Sequence, residues 1–186
     1  ILIAQVLMPL VENRLIFQFG WMLREGQVAI DLLRPIDFQL RFYVDGLASL
    51  VLYLLIKLPL VLIAVLAFGL ELPSTPGPWL AFLVALVLGH AVLFFFDALF
   101  ACLAFYTTET WGLSVMRVAV GSFFSGALLP LAILPAWLRA IANALPFAQA
   151  IYVPVSFLSG ITPVAAAPLH WLVQLTWLVG LVTASR

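Results

Sequence analysis

Few side chains in this sequence could do chemistry, and most of them lie in apolar surroundings. Lysine occurs once, as Lys57, and Leu58 follows it. A phosphate-cradling loop needs the pattern G-x-x-x-x-G-K-[ST], so the chain hydrolyses no ATP by that route. His90 and His170 are far apart in sequence and no Cys/His cluster accompanies them, which leaves no zinc-type ligand set. Intramembrane serine proteolysis is the remaining catalytic chemistry to test. Phe123-Phe124-Ser125-Gly126 and Phe157-Leu158-Ser159-Gly160 both end in Ser-Gly, with His170 downstream. Both lack the glycine two residues before the serine that the rhomboid motif carries, so catalysis is not supported.

Four polar residues stand inside apolar runs: Lys57, His90, Asp97 and Arg117. A charge at a bilayer centre costs roughly 2.5 to 3.5 kcal/mol or more, so such residues face a protein interior or a wet path. They are either functional or members of a buried structural pair. Lys57 and Asp97 sit on consecutive antiparallel runs at similar depth, roughly 17 and 14 Å from the inner ends at 1.5 Å per residue. An ion pair between them is one expectation; the other is that Lys57 reaches along its stem to the interface. Between Gly26 and Phe42, Asp31, Arg34, Asp37 and Arg41 recur at steps of three, three and four, with Leu33 among the apolar residues that fill the rest. That spacing puts charges on one helical face, with a break expected at Arg34-Pro35 because proline suits only a first helical turn. A short cytoplasmic amphipathic helix of this kind is a membrane-surface element or a docking element for a soluble partner. Gly121 and Ser125, and Ser122 and Gly126, form small-xxx-small pairs that let helices approach closely, within a subunit or across a dimer.

Composition says what must position these residues. Of 186 residues, 66% are hydrophobic and 9% charged, whereas a soluble domain carries about 25% charged residues. Apolar stretches exceed the ~20 residues needed to cross a ~30 Å hydrocarbon core. In lipid the backbone must satisfy itself in helices or a closed barrel. Leu47 to Leu70 shows no period-2 alternation, so helices remain. The fold class is therefore all-α, a polytopic transmembrane helical bundle. Net charge is zero and no basic block occurs, so nothing points to nucleic acid. Cys102 is the single cysteine and cannot form an internal disulfide.

Ile1 to Val11 reads as the inner half of a truncated span, and Glu12 to Phe42 as a cytoplasmic loop, since it holds Arg14, Arg24, Arg34 and Arg41. Spans are expected over Gly46 to Leu70, Trp79 to Tyr106, Leu113 to Leu134 and His170 to Arg186. An external turn lies at Glu71 to Pro78 and a short inner loop at Thr107 to Gly112. Pro135 to Pro168 is apolar but cut by Pro135, Pro146, Pro154, Pro163 and Pro168. Two short re-entrant helices, near Ala136 to Leu145 and Phe147 to Gly160, fit this pattern; a greasy external loop is the alternative. The chain reads as a single membrane domain over 1–186, with both ends of a longer protein expected to be missing.

The ordered features resemble the type-2 ABC transporter permeases, specifically the bacterial branch with six transmembrane helices. They are Gly26 followed by Leu32-Leu33-Arg34-Pro35, then Leu58-Pro59, then Ala104-Phe105, where Tyr106 stands in place of the family's usual Trp. Phe124-Ser125-Gly126, Pro130, Pro135, Leu145-Pro146-Phe147, Tyr152-x-Pro154 and Gly160 follow. The resemblance implies an exporter membrane subunit in the bacterial inner membrane, working as a homo- or heteromeric permease dimer, and relative to six helices it implies that this chain lacks the first and most of the second. It implies two copies of a cytoplasmic ABC ATPase that hold the ATP and Mg, with no cofactor in this chain. It also implies a coupling helix over about Gly26 to Phe42, so that Asp31, Leu33, Arg34, Pro35, Asp37 and Arg41 contact the ATPase. The competing class is a membrane protein without an ATPase, such as a lipid-modifying enzyme or a scaffold.

Overall fold

A computed structural model describes residues 4, 6–7, 15–33, 37–69, 72–107 and 110–185. Among the described residues the structure consists of helices and turns, with no strand. The helices are α1 (Leu15–Arg24), α2 (Gln27–Leu32), α3 (Phe38–Phe68), α4 (Pro76–Ala101) and α5 (Thr110–Phe124). They continue with α6 (Ala136–Ala144), α7 (Pro146–Ala150), α8 (Tyr152–Leu158) and α9 (Ala167–Ser185). Three of the described helical stretches are long and apolar enough to cross a bilayer: Gln39–Ala67, Pro76–Ala101 and Val164–Ser185.

α4 is the hub. α9 packs along it more extensively than any other pair of elements packs, and α1, α7 and α8 also lie against it. The cause is local: α4 presents Ala81, Ala85 and Gly89 along one side, and small residues allow close backbone approach. A Cβ added at Gly89 would come within 2.7 Å of Ala150 Cα and 2.8 Å of the Gln149 carbonyl oxygen. Only glycine admits α7 at that distance. α3 behaves differently, since little of its length is buried and it meets α4 mainly through its lower part. Asp37 caps its N-terminus by accepting the Leu40 amide at 2.9 Å, and the helix continues through Pro59.

The structure corrects two boundaries. The segment from Glu12 was expected to be loop, yet Leu15–Arg24 is a helix whose Leu15, Ile16, Gly20 and Met22 are buried against α4 and α5. Its four charged neighbours in sequence mask a short apolar face. The expected span over Leu113 to Leu134 is also shorter, because α5 ends at Phe124. Fifteen residues rise ~22 Å, less than a ~30 Å core. The helix stops where Gly126 takes a φ of 78°, the left-handed region open to glycine. Ser125 secures the turn: its hydroxyl donates to the Ser122 carbonyl at 3.1 Å and accepts the Ala127 amide at 3.3 Å.

Between α5 and α9 the prolines divide the chain as their spacing requires. α6 and the α7–α8 stretch meet at a bend of 69°, with Pro146 opening α7. Pro146 to Ile151 is buried against the middle of α4, and α8 returns along Ala81 and Ala85. α6 keeps one apolar side, Leu138 and Ala142, against Leu131, Leu134 and Ala148, and leaves Trp137 and Ile141 exposed. Its Arg139 donates to the carbonyls of Ala132 and Leu134 at 2.9 and 3.0 Å.

Two predictions follow from this packing. Cysteines at Ala136 and Ile161, in a Cys102→Ser background, should both react with an impermeant maleimide added from one side of sealed vesicles. Labelling from opposite sides would make the bent pair a span. Gly89→Ala should lower unfolding stability in detergent by about 1 to 3 kcal/mol, because the backbone of α7 must move. Gly180→Ala, with nothing within 4 Å of the added carbon, should leave it unchanged or slightly raised.

Candidate functional site

The most distinctive chemistry of the described residues is a polar seam inside the apolar bundle. At one end of it Arg117 of α5 donates through Nε to Oδ1 of Asp97 on α4. Their side chains are 1% and 0% exposed. Burial of either charge alone would be strongly unfavourable, so α4 and α5 are held at this crossing. Aromatic rings close the pair off: the guanidinium carbon lies 5.5 Å from the ring centre of Phe147 and 5.9 Å from that of Phe96. Those two rings meet edge to face at 5.0 Å. Phe147 belongs to α7, so the tip of the bent segment seats on the charge pair.

A second part of the seam is made of amides. Gln174 of α9 is fully buried and donates through Nε2 to the carbonyls of Ala85 at 2.9 Å and Gln149 at 2.7 Å. One side chain thus joins α9, α4 and α7. Gln149 donates through its own Nε2 to the Asn143 carbonyl at 3.0 Å, which fixes the α6–α7 corner. In an apolar medium an unmade amide bond is costly, so these contacts hold the irregular backbone where it would otherwise be exposed.

His90 lies on α4 seven residues before Asp97. It is buried beside Tyr43 of α3, with ring centres 5.8 Å apart, and its Nε2 lies 3.5 Å from where a Cβ on Gly46 would stand. Tyr43 also packs on Phe94 and Phe95 at 5.2 and 6.0 Å.

The structure does not bring Lys57 to Asp97. Asp97 is engaged by Arg117, while Lys57 sits 5.4 Å from the ring centre of Tyr53 on its own helix. Matching depth, counted along each helix, carries no information about which way each helix face points. α3 meets α4 through Phe42, Tyr43, Gly46, Leu50 and Leu54, and Lys57 lies half-exposed beyond the last of these contacts.

The charge series between Gly26 and Phe42 is not one helical face either. α2 ends at Leu32 and α3 begins at Phe38, so a step of three, three and four spans two helices. Arg34 and Pro35 lie outside the described residues. Asp31 and Arg41 instead meet across the junction, Nη1 to Oδ1 at 2.9 Å, and Asp37 is the cap of α3. Leu33 is 85% and Ile30 61% exposed, which leaves an apolar pair one turn apart facing outward. Gln39 donates to the Ser185 carbonyl at 2.8 Å, so the lower end of α3 is tied to the end of α9 as well as to α2.

Gly121, Ser122, Ser125 and Gly126 are all buried within the chain. A Cβ on Gly126 would meet Leu131 at 3.2 Å and Tyr152 at 3.5 Å, so these small residues pack α5 against its own subunit. Gln149 and Gln174 escaped the sequence reading, which searched for charges and histidines. The available signal was an uncharged amide in an otherwise apolar run, since such a group needs a partner as surely as a charge does. Among the described residues no group of three His, Cys, Asp or Glu side chains is placed to hold a metal ion.

No curated protein and no solved structure matches the chain. Its helices are those of a multi-pass membrane protein, and the family model described as ABC-2 family transporter protein matches residues 1–186, the whole of it. The chain belongs to that family and is a permease-type transport subunit of the membrane.

Proposed function

We propose that this chain is the membrane subunit of an ATP-driven exporter of the bacterial cytoplasmic membrane, forming a translocation path with a second permease subunit. ATP and Mg bind in separate cytoplasmic ABC ATPase subunits, which dock on the segment around α2. One observation carries the docking site: Ile30 and Leu33 are displayed outward on a short helix that is tied to the base of α3 by Asp31–Arg41. On a cytoplasmic surface an exposed apolar pair beside charged groups fits a protein partner better than water. The tie also supports a coupling role, because displacement of α2 by an ATPase pulls on α3, and through Gln39 on α9. Arg14, Arg24, Arg34, Arg41 and Arg186, five of the eight basic residues, lie on the side this orientation assigns to the cytoplasm.

Copurification of the full protein from its native membrane in mild detergent tests the reading. An ABC ATPase should copurify with the wild type and its hydrolysis should be stimulated by the complex. The double substitution Ile30→Glu/Leu33→Glu should abolish that stimulation while leaving insertion and the elution profile intact. Stimulation that survives the double substitution would place the docking site elsewhere. Consistent absence of any ATPase from the wild-type preparation would favour an ATPase-independent membrane protein.

A further inference from the structure

Beyond Val44, the polar side chains of α3 are Asp45, Ser49, Tyr53 and Lys57. They recur at intervals of four with no exception, and residues four apart in a helix form one continuous ridge along its surface. Twelve residues of helix carry this ridge ~18 Å into the bilayer. Every other side chain from Leu47 to Phe68 is apolar.

Among the described residues no hydrogen bond or ion pair joins the ridge to another helix. α3 meets α4 through Phe42, Gly46, Leu50 and Leu54, which form the neighbouring row of the same spacing. Asp45 and Ser49 are exposed, Tyr53 and Lys57 half-exposed. Within the ridge, Ser49 donates to the Asp45 carbonyl at 2.9 Å and the Lys57 ammonium lies 5.4 Å from the Tyr53 ring centre. The opposite side of the helix, at Val51, Leu55, Leu58 and Leu62, is exposed and wholly apolar, which is the face a lipid tail accepts. A lysine halfway along the span lies about 17 Å from either end of the apolar helix, farther than its stem reaches toward the interface. Ionisable groups at such depth face water or protein rather than lipid.

We propose that the Asp45–Ser49–Tyr53–Lys57 ridge is the wall of a water-filled path leading from the cytoplasmic end to the middle of the membrane. At its inner limit Lys57 takes an anionic group, a carboxylate or phosphate, of the transported molecule. Tyr53 holds the ammonium at the wall, and Ser49 and Asp45 keep the route to it wet. This rests on the transporter reading for the identity of the cargo, but the wetness of the ridge is a property of the permease alone.

Substituted-cysteine labelling tests it on the full protein in native membrane vesicles, in a Cys102→Ser background. Cysteines at Asp45, Ser49 and Lys57 should react with the anionic ethylsulfonate methanethiosulfonate and its trimethylammonium counterpart at least tenfold faster than cysteines at Val51, Leu55 and Leu62. At Ser49→Cys the preference for the anionic reagent should fall several-fold when Lys57 is replaced by glutamine, and should persist when it is replaced by arginine. Equal rates on both faces would overturn the proposal. So would a ridge that is shielded like the lipid face, since that is a dry contact with another subunit. An unchanged reagent preference in Lys57→Gln would remove the anion site. None of these outcomes depends on whether an ATPase copurifies, so failure here leaves the exporter reading standing.

Discussion

A carboxylate and a guanidinium buried together in an apolar bundle set the geometry of everything around them. Asp97 and Arg117 have almost no solvent contact, and neither charge is tolerable there without the other. α4 and α5 must therefore cross where these two residues meet. α5 starts at Thr110, against Gly20 of α1, and ends after 15 residues at the Ser125–Gly126 turn. The tip of the α6–α8 segment completes the enclosure with Phe147. Remove the pair and the tip loses its seat, because aromatic faces over a guanidinium are attractive chiefly when water is excluded.

The amides solve the complementary problem. A chain cut by Pro135, Pro146 and Pro154 breaks into short helices that meet at a bend of 69°, so backbone groups at the breaks need partners other than helical ones. Gln174 donates to the Gln149 carbonyl there and to the Ala85 carbonyl of α4, and Gln149 donates to the Asn143 carbonyl. Gly89 lets the backbone come close enough for this to happen. Charge pair, amides and glycine lie along α4 from Ala85 to Asp97. That is why α4 is the best-buried of the long helices while α3 stands largely free.

The class of fold was legible because lipid constrains sequence so strongly: apolar runs, proline punctuation and the all-α architecture can be read without coordinates. The two helices expected across Pro135 to Gly160 were nearly so, since Pro146 marks their junction, but the further break at Ile151 carries no proline of its own. What could not be read was rotation about helix axes. Lys57 and Asp97 match in depth, yet Asp97 turns to Arg117, and no count of residues along a span reveals that. The same limit applies at Asp31 and Arg41, whose partnership depends on the angle between α2 and α3 across a break. Leu15–Arg24 was hidden for another reason. Its apolar face is short, and the charges of its neighbours dominate the hydropathy of the segment. Gln149 and Gln174 were visible but carried no charge to draw attention.

These features describe a permease with a rigid half, built on α4, α9 and the bent segment, and a sparsely held helix, α3, tied at its base to α2 and α9. In the proposed docking mode, force entering at α2 would reach α3 first, while the buried pair of Asp97 and Arg117 holds α4 and α5 at their crossing. A double-mutant cycle at that pair is the most direct test, read as unfolding free energy of the full chain in detergent. Asp97→Leu and Arg117→Met should each cost about 3 to 5 kcal/mol, since each leaves a buried charge without its partner. The double substitution should be far less damaging than the sum, with a coupling of about 2 kcal/mol or more. Additive losses would mean that the two residues do not hold α4 and α5 together.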